Sequence, residues 1–227
     1  MTDAPTGVLL IGAGGLGCAA ALALTMGGIP RLGLADPDGV SLSNLHRQIL
    51  YRSADIGTAK VRCAARRLEE LAPGLRVDLH PRRLDTVEAI AGIARGYAVT
   101  IDASDNFITR FAANDAAIRE GFTLVHGAAI GFVGQLMTIT PGACACLRCL
   151  FTAPPATDGP TCQNEGVLGP LVGEVGWLMA MEAIKVLRGV GHPLRNRMLT
   201  LDLLTGKRRA IQVPLNPRCL CASRRHS

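Results

Sequence analysis

A glycine-rich turn near the start of the chain could hold a phosphate group. Gly12, Gly14 and Gly17 follow a short apolar run, and an alanine-rich stretch with good helix propensity follows them. Such a turn lets a backbone approach a phosphate, or lets a helix pack tightly on a strand. Asp36 comes roughly twenty positions later, as in dinucleotide-binding βαβ units. By itself this pattern favours an NAD-dependent dehydrogenase.

The segment after Asp36 carries groups that a dehydrogenase does not need. Asn44, Arg47 and Lys60 follow the second strand, where cations can neutralise a triphosphate and the charge on a transferred phosphoryl group. Asp105 comes at the carboxyl end of a later strand, so it should face the same crevice as Asp36. One carboxylate can bind ribose hydroxyls, and the other can hold Mg²⁺ against phosphate oxygens. These residues indicate chemistry on a nucleoside triphosphate.

The chain has eight cysteines, which in an intracellular protein indicate metal ligands or reactive thiols rather than disulfides. Cys146 and Cys149 have a spacing that chelates well through one tight turn, and tetrahedral zinc needs two more thiolates. Cys219 and Cys221 are the candidates, although their one-residue spacing is expected to make bidentate chelation harder than the two-residue spacing does. Cys144 is an alternative ligand. Free thiols near a degenerate site are the other interpretation.

Strands and helices alternate along the chain and must position these groups. Strands are predicted at 8–11, 31–35, 75–79, 98–101, 123–125 and 135–140, and helices up to Met26 and over 60–71, 86–95, 107–120 and 171–187. This order predicts an α/β fold, a Rossmann-like doubly wound sheet that is parallel in its first half and mixed or antiparallel in its second. The order of the later strands stays open. The proline-rich stretch 153–164 is typical of a mobile surface loop.

Length and composition favour one domain over 1–227, because 227 residues that are 48% hydrophobic can bury a full α/β core. Its nucleotide-binding half spans about 1–130 and its second half about 131–227. The start of the chain has no basic region or cleavage site of a signal peptide, and charges interrupt the apolar stretch 171–187. We therefore expect a cytoplasmic protein with no membrane span.

The net charge of +6 raises the question of nucleic acid as a partner. The arginines are spread along the chain, in pairs at most, and no aromatic platform accompanies them. An anionic nucleotide or an acidic protein explains the charge equally well. We expect no nucleic-acid partner.

The ordered motifs together resemble the MoeB/ThiF/HesA family of ubiquitin-activating-like adenylyltransferases, from about Val8 to Cys221. They are Gly12-x-Gly14-Gly15-x-Gly17, Asp36-x-Asp38-x-Val40-x-x-Ser43-Asn44-Leu45-x-Arg47-Gln48, Gly57-x-x-Lys60-Val61, Asp102-x-x-Asp105-Asn106 and Cys146-x-x-Cys149. The resemblance implies ATP bound by Gly12, Gly14, Gly15, Gly17, Asp36, Asn44, Arg47, Gln48, Lys60, Asp105 and Asn106.

Within that set the resemblance implies distinct roles. Asp36 binds the ATP ribose, Asn44, Arg47 and Lys60 contact the phosphates, and Asp105 coordinates Mg²⁺. Arg47, Lys60 and Asp105 are then the catalytic residues. Each has a plainer alternative, since Asp36 could merely end a strand, Arg47 and Lys60 could be solvated surface charges, and Asp105 could only cap the next helix.

The resemblance also implies a substrate and partners. The C-terminal Gly-Gly carboxylate of a ThiS- or MoaD-like ubiquitin-like sulfur-carrier protein attacks the α-phosphate of ATP and pyrophosphate leaves, with sulfur transfer for thiamine, molybdopterin or related biosynthesis as the purpose. A homodimer and a sulfur donor are the other implied partners. The alternatives are adenylation of a small-molecule, peptide or tRNA-linked carboxylate, and an inert binding scaffold.

Two cysteine features follow from the resemblance. Zinc is implied at Cys146, Cys149, Cys219 and Cys221, although the family usually has a second pair with two-residue spacing. Cys162 lies in the stretch where some relatives place a cysteine that bonds covalently to the sulfur of the carrier. A bystander thiol is the alternative for Cys162, because adenylation does not require it.

Relatives also carry an arginine ahead of the first strand that reaches the ATP site of the partner subunit. Here Val8 begins the strand after seven residues. We expect weak activity with ATP binding retained, unless the start lies upstream of Met1, or Arg52 or another local cation substitutes.

Overall fold

Eight strands form one sheet with helices packed on both of its faces. In this computed structural model, which describes residues 6–142, 144–154 and 166–223, the strands are β1 (Val8–Ile11), β2 (Arg31–Ala35), β3 (Arg76–His80), β4 (Val99–Asp102), β5 (Thr123–Ile130), β6 (Val133–Ile139), β7 (Arg197–Asp202) and β8 (Lys207–Gln212). The helices are α1 (Gly15–Met26), α2 (Lys60–Leu71), α3 (Val87–Ala94), α4 (Phe107–Glu120), α5 (Leu147–Leu150), α6 (Gly169–Arg188) and α7 (Leu220–Ser223).

The strand order is β3-β2-β1-β4-β5-β6-β7-β8. Strands β3 to β5 run parallel, and β5 to β8 pair antiparallel. The predicted fold class is therefore confirmed. The chain leaves β1 toward β2 and β3, and returns on the other side of β1 as β4, so a crevice opens at the carboxyl ends of β1 and β4.

Two apolar clusters, one on each face of the sheet, hold the layers together. Val8 and Leu10 of β1 belong to the cluster that contains buried residues of α1, α2 and α6. Leu9 and Ile11 belong to the cluster that contains residues of α3 and α4. A strand buried on both faces is a near-continuous apolar run, as β1 is. Each fully buried leucine or isoleucine contributes about 1.5–3 kcal/mol.

The predicted elements up to residue 130 all exist, with shifts of a residue or two at most ends. The largest difference is β5, predicted over 123–125, which continues to Ile130 and pairs with β6 along its whole length. Strands β7 and β8 have no counterpart in the prediction. All six residues of β8 are exposed, so no apolar periodicity marks it, and only its pairing with β7 makes it a strand.

The apolar stretch predicted as a buried amphipathic helix over 171–187 is helix α6, Gly169–Arg188. It packs against α1 and against β4, β5 and β6. Glu182 is buried in it and accepts hydrogen bonds from Thr138 Oγ1 at 2.5 Å and from Leu194 N–H at 2.7 Å. No helix in the described ranges is long and apolar enough to cross a membrane.

Two glycines of the first turn are required by close backbone packing. Gly12 has φ +94°, and a Cβ there would meet the carbonyl oxygen of Ala103 at 2.8 Å. A Cβ on Gly17 would lie 2.0 Å from the carbonyl oxygen of Gly12. The first glycine therefore permits the turn and the approach to β4, and Gly17 permits α1 to begin directly over that turn.

Gly17→Ala should destabilise the fold by about 3 kcal/mol, because a backbone atom blocks the new methyl group and cannot rotate away. Gly173→Ala in α6 is the matched control, since nothing lies within 4 Å of a Cβ there and alanine raises helix propensity. Urea denaturation followed by circular dichroism measures both variants. A Gly17→Ala protein as stable as the unmutated chain would contradict the packing described here.

Candidate active site and metal centre

The carboxyl ends of β1, β2 and β4 open into a cavity of about 700 Å³. Nearly every residue predicted to bind a nucleotide lines it, namely Gly12, Gly14, Gly15, Asp36, Asn44, Arg47, Gln48, Lys60, Asp105 and Asn106. Gly17 does not line it and serves the packing of α1 instead. The cavity has the size of small-molecule and cofactor sites, and α1 begins at its wall, where the first helical N–H groups have no intrahelical partner.

Asp36 follows β2 directly, and its carboxylate holds the glycine turn. Asp36 Oδ2 accepts a hydrogen bond from Ala13 N–H at 2.7 Å, and Oδ1 accepts one from Asp38 N–H at 2.9 Å. Burial raises the pKa of Asp36 above its ordinary value, and the charge of Lys60 and the two N–H groups oppose that rise. Asp36 therefore does more than end a strand, since it links the β1 and β2 turns at the cavity wall.

Lys60 begins α2 and is only 5% exposed, so the alternative of a solvated surface charge is wrong for it. Its Nζ lies 2.9 Å from Asp38 Oδ2 and 3.8 Å from Asp36 Oδ1. Lys60 N–H also donates to the carbonyl oxygen of Asp38 at 2.9 Å, which fixes the helix start beside the β2 turn. A cation at a helix N-terminus is unfavourable by itself because the helix dipole is positive there. The carboxylates of Asp36 and Asp38 compensate the charge of Lys60.

Arg47 presents a guanidinium that is not neutralised by an acidic group in the described ranges. Its Nη1 donates to the carbonyl oxygen of Ser43 at 3.2 Å and lies 3.4 Å from His46 Nε2. The neighbouring Gln48 is 3% exposed, and its Oε1 has no hydrogen-bond partner. A guanidinium free of carboxylates and an unsatisfied amide acceptor are both groups that a bound ligand can satisfy.

Asp105 lies on the turn between β4 and α4, exposed toward the cavity. In the described part of the chain its carboxylate has no hydrogen bond or ion pair. The alternative that Asp105 caps α4 is wrong, because the cap is Asn106, whose Oδ1 accepts a hydrogen bond from Thr109 N–H at 2.8 Å. An unpaired carboxylate beside a nucleotide-sized cavity fits Mg²⁺, which proteins bind through one or two carboxylates plus substrate phosphates.

Three cavity cations were not predicted as site residues, namely Arg82, Arg83 and Arg110. The rule that ligands bind at strand carboxyl ends, applied to β3, would have indicated Arg82 and Arg83. Arg110 follows Asn106 by four residues on α4, so it shares the helix face that meets the cavity. Arg52, considered as a substitute cation, is not among the lining residues.

The charge of the cavity favours an anionic ligand. Among the described residues five lysine or arginine side chains and three aspartates line it. Lys60 is matched by Asp36 and Asp38, so the excess positive charge comes from the arginines. Low-dielectric walls focus such a field on a bound phosphate chain.

The four predicted zinc ligands come together at a second site. The Sγ atoms of Cys146, Cys149, Cys219 and Cys221 all lie within 4.8 Å of one another. The one-residue spacing therefore does not prevent the two thiols from meeting the others, with Cys219 just ahead of helix α7 and Cys221 on it. The group of converging thiols among the described residues does not include Cys144, whose Sγ accepts a hydrogen bond from Thr140 N–H at 2.9 Å.

The chemistry of this cluster fits a tetrahedral zinc site of four thiolates. Burial, with a hydrogen bond to Cys219, raises the pKa of Cys146 to about 12, and burial raises that of Cys221 as well. Burial also acts to raise the pKa of Cys149, but hydrogen bonds, including one from Asn216 N–H, lower it on balance. A bound Zn²⁺ would supply the positive charge that buried thiolates need. Cys162 and the rest of the predicted loop from residue 155 to 164 lie outside the described residues.

Comparison with known proteins identifies the family. The model of the ThiF family matches residues 5–221. The chain belongs to the ThiF family. It is 44% identical over 218 residues to the sulfur carrier protein adenylyltransferase of Thermus thermophilus, covering 93% of this chain and 80% of that protein. It is 42% identical over 207 residues to adenylyltransferase and sulfurtransferase MOCS3-1 of Zea mays, covering 91% of this chain but only 44% of that protein.

The fold of this ThiF-family chain matches a crystal structure of MccB from E. coli, with a TM-score of 0.87 at 18% identity over 97% of this chain and 66% of that one. At that identity the likeness concerns the fold alone. The sequence relatives confirm the predicted family and the prediction of an adenylyltransferase.

Zinc analysis tests the metal centre. Protein purified without added zinc should contain one zinc per chain by plasma mass spectrometry, because four convergent thiols form a closed tetrahedral site. Cys219→Ser should lose the metal and lower the melting temperature, since zinc binding free energy contributes to folding. Cys144→Ser is the control and should retain zinc. Folded, metal-free protein would rule out the site, and zinc loss in Cys144→Ser would reassign a ligand.

Proposed function

We propose that the chain transfers AMP from ATP to the C-terminal Gly-Gly carboxylate of a small ubiquitin-like sulfur-carrier protein. The observation that carries this proposal is the 44% identity to a sulfur carrier protein adenylyltransferase over 80% of that protein's length. The positively charged cavity at the glycine turn supports it. Its arginines outnumber the carboxylates available to them, and a bound triphosphate would supply the missing negative charge.

In this proposal each cavity residue has a role that its contacts support. Asp36 binds the ribose, Gly12, Gly14 and Gly15 let the phosphates approach the backbone, and Asn44, Arg47 and Lys60 contact the phosphates. Gln48 and Asn106 complete the nucleotide contacts. Lys60 must share its charge with Asp36 and Asp38, so we assign the larger neutralising role to Arg47.

Asp105 is the proposed ligand of Mg²⁺. The ion would supply charge for the β- and γ-phosphates when it is bound with ATP. The chain itself forms no covalent bond in the adenylation. Its residues hold the carboxylate of the carrier in line with the α-phosphate, and they neutralise charge as pyrophosphate leaves.

The chain is proposed to act as one adenylation domain, with the carrier bound by the half from about 131 to 227. Strand β8 ends the sheet, and all of its residues are exposed. It carries Lys207, Arg208 and Arg209, so an acidic protein surface could dock along this edge. Zinc at the four-cysteine site would hold α5 and α7 together in this half.

The cellular setting is part of the proposal. We propose a cytoplasmic homodimer whose acyl adenylate is passed to a sulfur donor, for thiamine, molybdopterin or related biosynthesis. The name of the Zea mays relative combines adenylyltransferase and sulfurtransferase, which supports a sulfur donor acting next. A thiol such as Cys162 could then form a covalent link with the carrier, although adenylation does not need it.

The decisive experiment is detection of the product. Incubation with Mg²⁺, ATP and a carrier ending in Gly-Gly should give a carrier mass increased by an adenylyl group, and carrier-dependent exchange of labelled pyrophosphate into ATP. A carrier without its last glycine is the matched control and should give neither signal. Exchange with amino acids or peptides but with no Gly-Gly carrier would favour the small-molecule alternative. Absence of exchange with every carrier, amino acid and peptide tested would favour an inert scaffold.

Asp105→Ala should abolish carrier-dependent exchange of pyrophosphate into ATP while leaving the fold intact, because it removes an unpaired carboxylate that holds no other structural contact in the described ranges. Glu69→Ala on the exposed surface of α2 is the control. Exchange rates and melting temperatures measure both variants. Full exchange by Asp105→Ala would reject the assignment of Asp105 to Mg²⁺.

A further inference from the structure

Behind the cavity lies a buried ionisable pair that the proposed mechanism does not use. Asp102, the last residue of β4, is fully buried, and His126, beside it on β5, is 2% exposed. His126 Nδ1 lies 2.8 Å from Asp102 Oδ2. An ionised carboxylate only accepts hydrogen bonds, so the imidazole donates.

The second oxygen of Asp102 shapes the turn that follows β4. Asp102 Oδ1 accepts hydrogen bonds from Ser104 N–H at 3.1 Å and from Ser104 Oγ at 2.6 Å. Burial acts to raise the pKa of Asp102, but His126, Arg110 and Ser104 lower it on balance, so the carboxylate stays ionised and accepts all three bonds.

The network continues to the cavity wall through the carbonyl oxygen of Ser104. Arg110 Nε and Nη2 donate to that oxygen at 3.3 and 3.1 Å, and both Ser104 and Arg110 line the cavity. A continuous set of hydrogen bonds therefore runs from β5, through the end of β4, to the first turn of α4.

Asp105 stands between two anchored residues on this turn. Ser104 is held by Asp102 and Arg110 on one side, and Asn106 caps α4 on the other. The side chain of Asp105 itself contributes no bond within the described residues. Its position therefore depends on the anchors alone.

We propose that His126 is a positioning residue, which orients Asp102 so that the Ser104 turn presents Asp105 to Mg²⁺·ATP. The proposal rests on the proposed role of Asp105. Without the His126 donor, the Asp102 carboxylate loses the bond that sets its rotation, and Ser104 loses a fixed acceptor. Groups that orient metal ligands in this way commonly change metal affinity by about 10–100-fold when they are removed.

Calorimetric titration with ATP, in Mg²⁺ and in EDTA, tests the proposal without relying on turnover. His126→Phe keeps a ring but removes the donor, so it should weaken ATP binding about tenfold in Mg²⁺ and leave binding in EDTA unchanged. His126→Asn should restore most of the Mg²⁺-dependent affinity, because its amide N–H lies near the position of Nδ1. Ser104→Ala, which leaves the His126–Asp102 pair intact, should show the same selective loss.

Glu182→Gln is the structural control, since it perturbs a buried polar group elsewhere and should lower the melting temperature without changing either affinity. The double variant of His126→Phe and Ser104→Ala should lose no more Mg²⁺-dependent affinity than the worse single variant, because both act through one network. If His126→Phe does not fold, Ser104→Ala decides the question.

The variant Asp105→Ala distinguishes a failure of the proposed role of Asp105 from a failure of the proposed role of His126. If it loses Mg²⁺-dependent affinity while the His126 and Ser104 variants do not, the positioning role is wrong and the role of Asp105 stands. If Asp105→Ala binds Mg²⁺·ATP normally, both roles are wrong. Equal losses by His126→Phe in Mg²⁺ and in EDTA would show a general structural effect and overturn the positioning role.

Discussion

Close backbone contact at the carboxyl ends of β1, β2 and β4 is the constraint on which the cavity depends. The Gly12 turn approaches Ala103 so closely that a Cβ would not fit, and Asp36 joins the turn after β1 to the turn after β2. Three loops from distant parts of the chain therefore meet within hydrogen-bonding distance. Asp36, Asp38 and Asp105 extend from these loops into the shared cavity.

The cations of the cavity differ in how they are compensated, and this difference separates their roles. Lys60 is buried and lies beside Asp36 and Asp38, and this pairing stabilises the start of α2. All three residues also line the cavity. Asp36 is buried together with Lys60, whereas the side chain of Asp38 is 56% exposed, so solvent screens the closer of the two ion pairs. Arg47 has no carboxylate partner in the described ranges, so a bound phosphate would add an interaction without breaking one.

The cysteine cluster and the cavity are linked through α4. The carboxamide of Asn114 accepts a hydrogen bond from Leu147 N–H at 2.9 Å, and Arg148 forms a two-pronged ion pair with Asp115 at 2.6 and 2.7 Å. Leu147 and Arg148 lie between the cluster residues Cys146 and Cys149, and α4 begins at the Asn106 cap on the cavity wall. Zinc binding would therefore also restrain the helix that carries Arg110.

The sequence by itself determined the parallel half of the fold and most of the cavity. Apolar runs, glycine turns and strand-end carboxylates are local patterns, and a doubly wound sheet places them at the same carboxyl edge. It also indicated the four cysteines. The tertiary structure decided the features that depend on contacts between segments far apart in sequence. Strand β8 exists through pairing alone, and Cys219 and Cys221 meet Cys146 and Cys149 although about 70 residues separate the two pairs. Arg82, Arg83 and Arg110 reach the cavity only because β3 ends and α4 begins at its rim. The Asp102–His126 pair belongs to this second group, since two strands far apart in sequence must lie side by side before either side chain has a partner.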